Sequence, residues 1–268
     1  MSTDLVEQFK VRQRETWTLG NFADMAVFTA AVAGHLVRFA GVSQGQTVLD
    51  VGTGTGVVAI TARRCQAQVT GLDLTPALLE MARGNSLMAE LDDIVWLEGD
   101  VEVLPFPDAC FDVVLSQFGH MFAPRPDVAL KEMLRVLKPN GTIAFATWPG
   151  EQLIGRQFSL MAKYVPPLQG FVTPVLWGDV STIQQRLGDS IKKMHMERGV
   201  MAVPTLSAKH WRLFQEAKAG PFIRTVQALQ KDLSKLTEWR NEMDAMINEY
   251  LEDNIVRHEY LLTRAIKI

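Results

Sequence analysis

From residue 47 to 147 the chain alternates two patterns. Short runs of β-branched and apolar residues, at 47–51, 68–72, 94–98, 111–116 and 142–147, are separated by stretches of helical spacing. Four of the runs carry almost no internal polarity, as strands covered on both faces do; the run IVWLE at 94–98 is the weakest. Between them, Thr75 and Pro76 open a helix as N-cap and first-turn proline, and Leu78, Leu79, Ala82 and Leu87 give it an apolar face. Val128, Met133, Leu134 and Leu137 recur near helical period in a segment ended by Pro139, Asn140 and Gly141. Strand–helix–strand alternation with short links predicts right-handed crossovers and therefore a doubly wound, mostly parallel α/β sheet.

The flanks read differently. Residues 1–42 look helical, with a weak stripe starting at Leu5, Phe9 and Arg12 and a stronger one at Val27, Ala31, Leu36 and Phe39 that ends at Gly41. After Trp148 prolines and glycines break the period, so 151–188 reads as a cap of short helices, and 191–200 is a candidate sixth strand. Residues 221–255 read as strongly helical, with Phe222, Val226, Leu229, Leu233, Leu236, Met243, Ile247 and Tyr250 at three-four spacing. Packing on its own domain accounts for a stripe this wide, and a homodimer seam is the alternative. The terminal EYLLTRAIKI has strand character. The expected organisation is an N-terminal helical segment at 1–42, a cofactor-binding core at 43–150, a cap or substrate region at 151–220, and a long helix plus terminal strand at 221–268.

Composition narrows the class. The chain has 268 residues, 47% of them hydrophobic, and 27 basic against 30 acidic side chains give a net charge of −3. That is a globular balance, and it lacks the clustered basic surface that nucleic-acid binding requires. The two cysteines, Cys65 and Cys110, have neither metal-ligand nor redox spacing, which fits a reducing compartment. No signal-peptide core is present, and His35 and Arg38 interrupt the apolar stretch at 25–42, short of the ~20 uninterrupted apolar residues of a bilayer span. The expectation is a cytoplasmic protein without membrane insertion.

The chemistry concentrates at strand ends. In VLDVGTGTGVVA a buried strand runs into Gly52, Gly54 and Gly56 and then a helix, a turn in which glycine backbone can approach a ligand and helix N–H groups point at it. Asp73 ends the second strand, facing that loop across the crevice of a doubly wound sheet, where a carboxylate can accept both ribose hydroxyls. Asp100, after the third strand in EGDVEVLPF, repeats the geometry at the base end of a nucleoside, with the Val101 backbone beside the ring. Each has a plainer reading as a turn or helix-start residue, but three signals at consecutive strand ends are harder to assign to turns. Two cofactor classes remain. G-x-G-x-x-A counted from Gly54 to Ala59 allows a nicotinamide enzyme, whereas Asp50 inside the first strand and Asp100 count against one.

The motifs VLDVGTGTG, TGLDLTPALLEMAR, EGDVEVLPFPDACFDVV and EMLRVLKPNGTIAFATW, covering about 48–148, resemble the class I S-adenosylmethionine-dependent methyltransferases, in the branch similar to the ubiquinone/menaquinone-biosynthesis enzymes. The resemblance implies a seven-stranded Rossmann-like sheet of order 3-2-1-4-5-7-6, with EYLLTRAIKI as the antiparallel seventh strand. It implies S-adenosyl-L-methionine as cofactor, Asp50, Gly52 and Gly54 near its methionine moiety, Asp73 on the ribose, and Leu74 against adenine. Asp100 and Val101 would hold the adenine edge and Gln117 or Phe118 the methionine end, while Trp17, with Asn21, would fold over the site. It names the reaction class and not the acceptor.

Methyl transfer from a sulfonium is a direct displacement, so alignment carries much of the catalysis and a base is needed only for a protonated acceptor. His120, after the fourth strand, is the candidate base; its plainer fate is a hydrogen-bonded structural histidine. His195 and His210 are weaker candidates, and His35 and His258 read as structural. Phe118, Met121, Phe122, Trp148, Phe158, Met161, Tyr164 and Trp177 are candidates to line a pocket for a small or medium, apolar or aromatic acceptor, methylated on oxygen or carbon. An NAD(P)-dependent oxidoreductase and a non-catalytic cofactor-binding regulator are the competing readings. No metal is expected.

Overall fold

A computed structural model describes residues 3–168 and 170–268. Two helices come first, α1 (Thr3–Thr18) and α2 (Phe22–Ala40), the second closed by Gly41 in a left-handed conformation, φ 74°. The core then alternates β1 (Thr47–Val51), α3 (Val57–Arg64), β2 (Gln68–Asp73), α4 (Pro76–Met88), β3 (Val95–Glu98), β4 (Phe111–Gln117), α5 (Pro126–Val136) and β5 (Leu137–Thr147). Next come α6 (Leu153–Tyr164), α7 (Val180–Leu187), β6 (Ile191–Pro204), α8 (Ala208–Lys218), α9 (Gly220–Leu229) and α10 (Leu233–Asn248). The two-residue β7 (Leu251–Glu252) and the long β8 (Ile255–Lys267) end the chain.

The sheet has eight strands in the order β3-β2-β1-β4-β5-β8-β6, with β7 a stub paired to β8. Setting the stub aside, this is the expected 3-2-1-4-5-7-6 order: the chain-terminal strand lies between β5 and β6 and runs antiparallel to both. The runs read from the sequence become strands almost residue for residue. β5 begins earlier than expected, because Pro139, Asn140 and Gly141 form an irregularity within the strand: its register to β4 shifts between Phe111 and Val113, with Asn140 at φ 62°. β3 is the edge strand and is largely exposed, which explains its weak apolar signal.

Several flanking expectations change. In α2 the buried positions are Val32, Ala33, Leu36, Val37 and Ala40, while Val27 is 74% exposed, so only the second half of the helix packs on the sheet. At 19 residues α2 is long and apolar enough to cross a membrane by length and composition. Thr75 sits at the N-cap of α4 but its side chain caps nothing. The stretch at 221–255 is not one helix: it breaks after Leu229, and Asp232 starts α10 by accepting from the Lys235 N–H. Its stripe is consumed internally, with Phe222, Leu229, Leu236, Met243 and Ile247 buried and Leu233 left exposed.

Candidate active site

A cavity of about 310 Å³, within the ~300–1,000 Å³ usual for small-molecule sites, lies at the C-terminal ends of β1 to β5. This is where the strand order reverses between β1 and β4, the switch point at which doubly wound sheets bind ligands. Asp50, Gly52, Gly54, Asp73, Leu74, Asp100, Val101, Gln117, Phe118, His120 and Trp17 all line it. Asn21 stands outside, bonded to Asp24.

The glycine loop is shaped by close approach. Gly52, at φ 63°, would place a Cβ 2.8 Å from the Gly119 Cα, so the loop after β1 can cross the end of β4 only without a side chain. Gly54, at φ 54°, has nothing within 4 Å of the corresponding position and leaves open space in the cavity wall. Asp50 supports the loop from beneath: its Oδ2 accepts from the Thr53 hydroxyl at 2.6 Å and the Ala59 N–H at 3.1 Å. Its Oδ1 is buried without a partner. Burial pushes the Asp50 carboxyl up to about 7 against those two hydrogen bonds, and the nearby Asp73 charge pushes the same way.

Asp73 ties the end of β2 to the loop. One oxygen accepts from the Gly54 N–H and the other from the Thr75 N–H, each at 2.8 Å. Burial raises its pKa while these bonds oppose the rise. Asp100 accepts from the Glu102 N–H at 2.8 Å and pairs with the Lys10 ammonium at 2.6 Å. Lys10 also reaches Glu102 at 2.8 Å. Burial alone would lower Lys10, but the bonds to Asp100 and Glu102 outweigh it and hold the ammonium above its usual pKa. The N-terminal helix is thus fastened over the strand ends. Arg14 donates to the Leu74 carbonyl at 2.9 Å, Gln13 to that of Phe122 at 3.3 Å, and Trp17 meets Phe122 edge-on at 4.8 Å.

His120 does not have the environment of a base that titrates near neutrality. Its ring packs between Phe145 and Trp177, with centroids at 4.7 and 4.6 Å. Burial, helped by the Arg186 charge, drops its pKa to about 3, so the imidazole is neutral across the physiological range. His195 lies against Phe39, His210 bonds Thr205 and the Leu206 N–H, and His35 bonds Tyr260 and Glu197. None of these three lines the cavity. His258, read from sequence as structural, does line it.

Beyond the glycine loop the wall turns apolar. Phe118, Phe122, Trp148, Phe158 and Met161 contribute to it as expected. Met121, Tyr164 and Trp177 do not: Met121 is core, Tyr164 donates to Glu242 at 2.6 Å, and Trp177 lies under the Arg186 guanidinium. Phe118 holds a left-handed backbone, φ 61°, and stacks on Trp148 at 3.7 Å and 11°. Such a conformation costs a bulky residue about 1–3 kcal/mol and clusters at functional sites. Lys10, Gln13, Gln157, Met201, Trp211 and Gln215 also line the cavity and were not signalled by any local motif. Among the described residues no group of three or more His, Cys, Asp or Glu is placed to hold a metal.

A glycine loop, two acids on successive strand ends and an adjoining apolar chamber define an α/β protein built for a nucleoside cofactor and a second ligand. The methyltransferase-domain family model matches residues 49–145. An uncharacterized protein of Mycobacterium tuberculosis is 32% identical over 257 residues, 95% of this chain and 93% of the relative. The demethylmenaquinone methyltransferase of Staphylococcus aureus is 32% identical over 179 residues, 63% of this chain and 73% of the relative. Among solved structures, the YcgJ protein of Bacillus subtilis superposes with a TM-score of 0.61 at 18% identity, covering 88% of this chain and 97% of that one. The phosphoethanolamine N-methyltransferase 2 of Haemonchus contortus, solved with S-adenosylhomocysteine, gives 0.57 at 16% identity, covering 88% and 52%.

The chain belongs to the class I S-adenosylmethionine-dependent methyltransferases. It is an enzyme of that class and uses S-adenosylmethionine. Of the two cofactor classes that the glycine spacing allowed, these relatives select the methyl donor over the nicotinamide, and the non-catalytic reading gives way with it. The residues present suit that cofactor. A buried, unpartnered carboxylate oxygen on Asp50 and an unpartnered amide oxygen on Gln117 lie in the wall of the same cavity, and a cofactor carrying cationic groups supplies the partners they lack.

Proposed function

We propose that the enzyme methylates a small or medium, apolar or aromatic acceptor, on oxygen or carbon ahead of nitrogen. The observation that carries this reading is the continuity of the cavity, in which the strand-end acids and the stacked Phe118–Trp148 pair share one space. Asp73 accepts from the ribose hydroxyls through its remaining lone pairs, Leu74 and Val101 flank the adenine, and Asp100 accepts from its amine. Asp50, Gly52, Gly54 and Gln117 hold the methionine end, and Trp17 covers the site from α1. The cofactor supplies an electrophilic methyl group. The chain's own part is to align the acceptor with it, keep water out with aromatic walls, and leave the reaction without a titrating base at His120.

The similarity to the demethylmenaquinone methyltransferase of Staphylococcus aureus supports an apolar ring as acceptor. Cytoplasmic location and action as a small-molecule enzyme, apart from nucleic acid and membrane, complete the proposal. The test is a thermal-shift titration followed by a labelled-methyl assay. Stabilisation by S-adenosylhomocysteine and not by NADH, with label passing to aromatic or quinol-type acceptors, is the expected result. Label passing only to amines or to polar acceptors would contradict the acceptor class.

A further inference from the structure

The wall of the cavity farthest along the chain is made by β8, which runs past the end of β5. Thr147, the last residue of β5, pairs with Leu261, whereas His258 lies three residues further out, opposite Met201 of β6. Both Met201 and His258 line the cavity.

His258 is fully buried, and neither ring nitrogen has a hydrogen-bond partner. Its ring neighbours are Trp211 at 5.4 Å and Trp148 at 6.5 Å, both of which also line the cavity. Trp211 Nε1 is buried and unpartnered as well. His120 and Trp177 form a second unpaired histidine–tryptophan pair, and His120 also lines the cavity, but its ring neighbours Phe145 and Trp177 are not cavity residues, so only the His258 pair has both partners in the wall. The nearest comparison inside the molecule is Gln157 and Gln215, whose amides satisfy each other at 3.2 Å in the same wall.

An unpaired buried polar group costs about 1–3 kcal/mol, and natural folds rarely leave one without a use. Two such side chains in contact, buried in a wall where the Gln157 and Gln215 amides already satisfy each other, form a polar spot of defined chemistry. A neutral imidazole offers one bare nitrogen and one N–H, and an indole offers only a donor. A hydroxyl is their complement: its O–H donates to the imidazole nitrogen, and its oxygen accepts the indole N–H. A hydrocarbon offers neither group, and an aryl ether oxygen can accept an N–H but leaves the bare imidazole nitrogen unsatisfied.

We infer that His258 and Trp211 form the anchor that recognises a hydroxyl group on the ring of the acceptor. The inference rests on the apolar-acceptor reading above and adds to it the group that is recognised and the residues that recognise it. It makes His258 a specificity residue whose bare ring nitrogen is reserved for substrate.

The probes are 2-naphthol and 2-methoxynaphthalene, titrated into the full chain saturated with S-adenosylhomocysteine and followed by calorimetry. Wild type is expected to bind the naphthol about tenfold or more tighter than its methyl ether. His258→Leu abolishes that preference, keeps its affinity for S-adenosylhomocysteine, and melts no lower than wild type, because it removes an unpaired polar group. His258→Asn retains part of the preference. Preference surviving in His258→Leu overturns the assignment. So does a melting point well below wild type in both variants, since the imidazole would then have a structural partner. Equal binding of both probes to wild type overturns the hydroxyl anchor and leaves the apolar acceptor standing, whereas binding of neither probe overturns the acceptor class together with it.

Discussion

The two halves of the cavity are built on opposite plans. At the strand-end half the acids are already at work: Asp73 spends an oxygen on Gly54 and another on Thr75, and Asp100 is held by Lys10 and Glu102. In the proposed function ligand and loop share these groups, so shape and binding there would be one property. In the aromatic half His258 and Trp211 are buried and unpaired, and the fold gains nothing from their nitrogens. A site that every member of a class uses for the same cofactor can be woven into its scaffold. A site that must suit one acceptor is added at a stability cost, the pattern expected where function and stability compete.

Acidification separates the halves most strongly. The pKa values of His258 and His120 are held near 3, below their ordinary 6.5, so the unfolded chain takes up protons that the fold refuses. Above pH 6.5 neither titration affects the fold, and as pH falls toward 3 each subtracts stability, roughly 2 kcal/mol per histidine between pH 6.5 and 4.5. Asp50, raised to about 7, works in the other direction, losing its contribution as pH climbs from 3.8 through 7. Urea denaturation across this range should therefore show a shallower acid slope in His258→Leu than in wild type, by about 1.4 kcal/mol per pH unit. Parallel slopes would mean that His258 is protonated or solvated in the fold.

Asp73→Ala comes next. It should weaken S-adenosylhomocysteine binding by about 10- to 100-fold, or ~1.5–3 kcal/mol, in calorimetry. Retained affinity in a folded variant would remove Asp73 from the cofactor half. Gly52→Ala puts a methyl group against the Gly119 backbone in a left-handed conformation and should cost at least about 2 kcal/mol, a melting drop of roughly 4 °C or more. An unchanged melting point would show that the loop relaxes away from β4. The smallest effect belongs outside both halves: Leu233→Ser, on the exposed edge of the C-terminal helical stripe, should leave stability within about 0.5 kcal/mol and the sedimentation behaviour unchanged. A change in oligomeric state would favour the dimer seam.

The strand-end half was legible in the sequence because its information is local. VLDVGTGTG carries strand, turn and helix start in one stretch, and Asp73 and Asp100 follow their strands directly, so topology alone brings them together. The aromatic half was legible only in its residue types. Phe118 and Trp148 sit just beyond strands and were found, whereas Trp177 and Tyr164 carry the same apolar signal but point into other contacts. His258 has no local signature at all. Its place depends on how far β8 overshoots β5 and on its register with β6, long-range pairings that no short window encodes. The break between α9 and α10 was hidden because three-four spacing continues across it, although Asp232 marks the new start.

The most direct test is a crystal structure of the full chain with S-adenosylhomocysteine. The account predicts the ribose within hydrogen-bond distance of Asp73, the adenine edge at Asp100, and the sulfur directed toward the chamber lined by Phe118, Trp148 and His258. A nucleoside bound anywhere else, or one whose sulfur points away from that chamber, would contradict it.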